Sequence, residues 1–152
     1  MSRHFRKIRR SVFRNNPKYL DQDFTDYAKI GMIVERVNAV ELRMNQVIAA
    51  YYVSPDKQSA FMEDFMFAGR LRLNDKIKVF TSILKRKNIP FDHKSFERWM
   101  NIRNMVAHGV PSQDYHSRRG ILSFNGRIYD IETEFRDFER LQSKIEAIFE
   151  AL

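Results

Sequence analysis

The chain predicts an all-α bundle of four to five helices with one small β-hairpin before the last helix. Three observations carry this. Apolar residues recur at three-to-four spacing through several long segments, and no proline interrupts residues 24–52. Asn125-Gly126, between Leu122-Ser123-Phe124 and Arg127-Ile128-Tyr129, is a two-residue hairpin signal. At 152 residues the chain suits one domain that can bury a core without staples.

The first 22 residues read as a basic arm, and residues 23–152 as a single helical domain. Arg3, Arg6, Lys7, Arg9, Arg10, Arg14 and Lys18 occur with no acid in residues 1–20, which therefore hold +7 of the net +8. Phe5, Ile8 and Val12 fall at helical spacing among them, and Asn15-Asn16-Pro17 should end that segment. Arg3, Arg6, Lys7, Arg9 and Arg10 are candidate RNA contacts, because Lys and Arg release counterions from nucleic acid. A solvated tail, a contact to an acidic partner or a membrane surface are the other uses of such an arm.

Phe24 to Tyr52 reads as one long helix with the stripe Ile30, Ile33, Val34, Val37, Val40, Met44, Val47, Ile48 and Tyr51. Asn38, Glu41 and Asn45 line one edge of that stripe. A carboxylate there is costly unless paired, so Glu41 should meet Arg103 or His108, or else form a structural ion pair. Ser54-Pro55 starts the next helix, where Phe61, Met62, Phe65, Met66 and Phe67 read as core or dimer contact. Gly69 marks a turn. A helix from Asn74 to Lys87 follows, with Leu73, Ile77, Phe80, Ile83 and Leu84 inward.

Asp92 caps a helix running to His108, and Gly109 is its stop. Phe96, Trp99, Met100, Met105, Val106 and Ala107 make it apolar, while Arg103, Asn104 and His108 interrupt that pattern. A helix turns about 100° per residue, so Asn104 and His108 stack on one face with Arg103 on the neighbouring strip. The helix dipole should raise the His108 pKa and poise it to trade protons. Arg103 adds a planar fork of donors suited to phosphate. The set has no nucleophile, which suits RNA, whose 2′-hydroxyl lies beside its own phosphate. The competing use is structural, with both cations capping carbonyls and pairing with surface carboxylates.

Residues 110–120 read as a polar loop, a candidate lid whose Arg118 and Arg119 would touch RNA and whose Tyr115 would stack on a base. The hairpin follows, then a cap at Thr133 and a helix with Phe135, Phe138, Leu141, Ile145, Ile148, Phe149 and Leu152 on one side. Absent motifs narrow the function. There is no cysteine, no glycine-rich phosphate loop, no His-Glu-x-x-His and no GxSxG elbow, and His4, His93, His108 and His116 lack metal-ligand spacing. No metal or cofactor is expected. No apolar run suits a membrane span or a secretion signal, so the expected location is cytoplasmic and no membrane partner is expected.

Arg103-Asn104, three further residues and His108-Gly109 resemble the motif of the HEPN superfamily, in which a polar residue follows Arg and His comes four to six residues after the Arg. The resemblance implies a helical bundle that dimerises to join two motifs and acts as a metal-independent endoribonuclease. Arg103, His108, Asn104 and Glu41 would then be the catalytic set. It also implies a toxin or phage-defence role, with an antitoxin as neutralising partner. The alternatives are a non-catalytic HEPN-like module that binds RNA or protein, and a helical regulator whose arm binds duplex DNA.

Overall fold

The computed structural model describes residues 17–113 and 120–152. The predicted arm contacts Arg3, Arg6, Lys7, Arg9 and Arg10 lie outside the described residues, as do Tyr115, His116, Arg118 and Arg119 of the expected lid. The described chain is mostly helical, with one three-stranded antiparallel sheet. Helix α1 is Pro17–Tyr52, α2 Gln58–Phe61, α3 Leu73–Arg86, α4 His93–His108 and α5 Ile131–Glu150. Strands β1 Val110–Gln113, β2 Gly120–Phe124 and β3 Arg127–Asp130 lie between α4 and α5 in the order β1-β2-β3. These residues form two compact units, one containing the described residues up to Val34 with Ile102–Phe138, the other Glu35–Asn101 with Glu139–Leu152.

In the first unit, Ile33, Ile102, Met105, Val106, Leu122, Ile131 and Phe138 are buried. The sheet sits here. Asn125 and Gly126 adopt φ of 51° and 72°, the left-handed pair that a two-residue turn needs, so the hairpin forms where expected. β1 corrects the expectation of a polar loop: Val110 pairs with Ser123 and Gln113 with Gly120. Pro111 is tolerated because β1 is an edge strand. Gly120 is required by space, since a Cβ there would strike the Asp26 carboxylate. Lys29 bonds Glu132, whose carboxyl is held below its usual range first by that bond and then by Arg136, 2.8 Å away.

The second unit holds the larger core. Val37, Val40, Met44 and Ile48 of α1 are buried at the spacing the stripe predicted, with Phe80, Ile83 and Leu84 of α3, Trp99 of α4, and Leu141 and Ile145 of α5. Tyr51, assigned to the same stripe, is instead 38 % exposed. Residues 55–67 are not one regular helix. Pro55–Lys57 is a 3₁₀ turn, α2 is a single turn, and Met62–Phe67 is π-helical. Ser54 makes no side-chain cap bond, and of the aromatic and Met cluster Met66 alone is buried while Phe65 and Phe67 stay exposed.

The helix start at Asp92 lies where expected, and those of α1 and α5 lie elsewhere. α1 begins at Pro17, earlier than Phe24, with proline at a first-turn position where no N–H is needed. α5 is capped by Asp130, not Thr133: Asp130 Oδ1 accepts from the Thr133 amide and hydroxyl, both at 2.7 Å. Asp92 caps α4 as expected, accepting from the Ser95 amide at 3.1 Å and the Ser95 hydroxyl at 2.6 Å. Those two bonds hold its carboxyl down to about 2. A depressed carboxyl stabilises the fold above its unfolded value near 4, and that contribution fades as pH falls toward 2. A carbon-detected NMR titration should therefore place the Asp92 midpoint at about 2. Ser95→Ala removes the hydroxyl bond and keeps the amide bond, so the midpoint should move part of the way up, and an unmoved midpoint would rule out the Ser95 hydroxyl as its largest cause.

Candidate functional site

The last two turns of α4 form the site, and their buried side anchors it. Ile102 and Met105 are almost fully buried and Val106 is 8 % exposed, which turns Arg103 and Asn104 to the half-buried flank and His108 to solvent. The pattern follows from a period of 3.6 residues acting on a local sequence. His108 is the final residue of α4 and β1 starts at Val110, so the imidazole is carried by a helix behind and a strand ahead.

Gly109 makes this junction possible. Its amide donates to the Met105 carbonyl at 2.6 Å, extending the helical bonding by one residue. A Cβ at Gly109 would run into that same carbonyl oxygen and meet Leu122 Cδ2 at 3.4 Å. The sequence suggested a helix stop, and the physical reason is crowding by neighbours. No left-handed backbone is involved.

Arg103 Nη1 donates to Asn104 Oδ1 at 3.1 Å, so Asn104 orients the guanidinium from the adjacent position. Among the described residues no carboxylate lies within ion-pair distance of Arg103 or His108. Glu132 of the first unit is held by Lys29 and Arg136. Among the described residues, then, neither side chain is paired with a surface carboxylate. The arrangement offers a fixed fork of donors on one flank and an accessible imidazole at the helix end.

Glu41 belongs to the second unit, and its partner there is Lys76, not the Arg103 or His108 that the sequence suggested. Lys76 Nζ lies 2.6 Å from Glu41 Oε1, with the lysine side chain 3 % and the glutamate 27 % exposed. A carboxylate on the edge of a core face does need a cation, but the cation comes from α3. Sequence reasoning passed over Lys76. The available signal was its position four residues before Phe80 and three after Leu73, which places it on the inner face of α3.

Among the described residues, no three His, Asp or Glu side chains converge to hold a metal ion, and no helix is long and apolar enough to cross a membrane. Comparison with protein-family models, curated proteins and solved structures returned no match.

Proposed function

We propose that this chain is a metal-independent endoribonuclease of the HEPN type that works as a homodimer. The observation that carries the reading is the state of Arg103: half-buried, oriented by Asn104 at 3.1 Å, and without a carboxylate among the described residues, beside an exposed His108 on the same helix end. A cation held in place and not neutralised among the described residues suits an anionic ligand, and phosphate matches its fork.

In the reaction, the RNA 2′-oxygen attacks the adjacent phosphorus as the bond to the 5′-oxygen breaks. One proton leaves the 2′-hydroxyl and one is delivered to the departing 5′-oxygen, so the products are a 2′,3′-cyclic phosphate and a 5′-hydroxyl. Arg103 stabilises the charge building on the phosphate oxygens, Asn104 holds Arg103, and His108 transfers a proton. Two transfers in one step call for two proton-handling groups, and among the described residues each chain offers one imidazole at the site, His108. A second copy supplies the other. Such an enzyme would work on cellular or phage RNA in the cytoplasm, as a toxin or defence protein restrained by an antitoxin.

The test is an end-group analysis of single-stranded RNA incubated with the purified protein in EDTA. The expected ends are cyclic phosphate and 5′-hydroxyl, absent when His108→Ala replaces the wild type. Equal cleavage by wild type, His108→Ala and Arg103→Ala, or no cleavage by any of them, rejects the assignment.

A further inference from the structure

One face of the three-stranded sheet is open. Strand β2 buries Gly120 and Leu122 and turns Ile121 and Ser123 the other way, because successive residues of a strand point to opposite faces. Ser123 pairs with Val110 of β1 on one side and Ile128 of β3 on the other, so these three form one cross-strand row on the unburied face. Val110 and Ile128 are 66 % and 71 % exposed, more than any other large apolar side chain among the described residues. The row runs from one edge strand to the other, over about 10 Å. Branched apolar side chains on exposed edge strands invite association, and folded proteins usually put charge there, so their presence on both edges points to a cover.

The chemistry of the row selects that cover. Val110, Ser123 and Ile128 carry no charge, whereas a nucleic-acid strand calls for cations. A protein face is what the row fits. Two copies of a chain with a net charge of +8 repel each other, and an uncharged surface is where they can meet. The row also complements itself: a two-fold axis through Ser123 sets Val110 against the partner's Ile128 and Ile128 against the partner's Val110. It adjoins the site as well. His108 precedes Val110 by two residues, about 7 Å of chain at most, and sheets packed face to face stand about 10 Å apart. Such a pairing holds both copies' His108 at the margin of one interface, as two proton transfers require.

We propose that two copies of this chain associate through these open sheet faces, with the Val110–Ser123–Ile128 rows at the centre of the contact. The second copy as occupant rests on the nuclease reading, and association and cleavage are therefore measured separately. Sedimentation equilibrium of the full-length protein should show a dimer at micromolar concentration. Ile128→Lys sets cations into the uncharged contact and should raise the dimer dissociation constant about tenfold or more. Val110→Thr combined with Ile128→Thr keeps the β-branched shape, which protects the strands if lysine proves disruptive, and should raise the constant several-fold. Both side chains are exposed, so the melting midpoint of the dilute monomer should not fall.

A wild type that stays monomeric, or a dimer indifferent to both variants, overturns the proposal. So does a monomeric wild type whose midpoint falls with Ile128→Lys, since the cover is then another segment of the same chain. RNA cleavage by the same samples separates the two readings. Dissociation by these substitutions in a protein that cleaves no RNA rejects the nuclease and keeps the sheet interface, while a cleaving dimer untouched by both variants keeps the nuclease and rejects the interface.

Discussion

His108→Ala is expected to slow RNA cleavage by about 10²–10⁴-fold, the usual contribution of a positioned proton-transfer group. The unfolding midpoint should barely move. His108 is exposed at the end of α4, and the side chain makes no bond to another described residue, so truncation removes no contact that holds the described fold. Arg103→Ala should cost about 10²–10³-fold, the range for losing one preorganised donor to a developing oxyanion. Arg103→Lys separates charge from shape. An ammonium restores the charge but lacks the planar fork and cannot keep the Asn104 contact in the same geometry, so recovery should be partial. Single-turnover cleavage read beside thermal melts decides the matter. If the rates fall only in step with the midpoints, the two residues support the fold and not the reaction.

The helical placement of Arg103, Asn104 and His108 was legible because helix geometry is local. The positions 103, 104 and 108 follow from a period of 3.6 residues, and Ile102, Met105 and Val106 bury as that period requires. The Asp92 cap and the Asn125-Gly126 turn were legible for the same reason, each being decided by a few adjacent residues. What depends on distant partners was not. Glu41 announced a need for a cation, but only the folded chain says that Lys76 meets it. β1 was hidden because Val110-Pro111-Ser112-Gln113 carries neither an alternating pattern nor a run of β-branched residues, and its strand character comes from pairing with β2. The division of residues 55–67 into 3₁₀, α and π turns likewise left no mark in the spacing of Phe61, Phe65 and Phe67.

Trp99→Ala should be the most damaging single truncation in the second unit, at about 3–5 kcal/mol. Trp99 is fully buried, its ring sits 5.4 Å from Phe96, and its indole N–H donates to Gln142 Oε1 at 2.9 Å. Alanine would leave a cavity beside Phe96 and Gln142 and would strip Gln142 of its donor. Gln142 is poorly able to compensate, because it is 4 % exposed and its amide already donates to Glu146 at 2.8 Å. Trp99→Phe divides these contributions: most of the apolar volume returns, while Gln142 Oε1 stays orphaned, at a cost of about 1–3 kcal/mol. Arg36→Ala is the comparison at the surface, where the 3.2 Å pair with Glu139 is 36 % and 45 % exposed and worth less than about 1 kcal/mol. Urea unfolding of the three variants should rank them Trp99→Ala, Trp99→Phe, Arg36→Ala. Since a domain holds only about 5–15 kcal/mol in all, the first has stability to lose that the wild type can scarcely spare. A Trp99→Ala protein as stable as Arg36→Ala would mean that Trp99 does not anchor α4, the helix that carries Arg103 and His108.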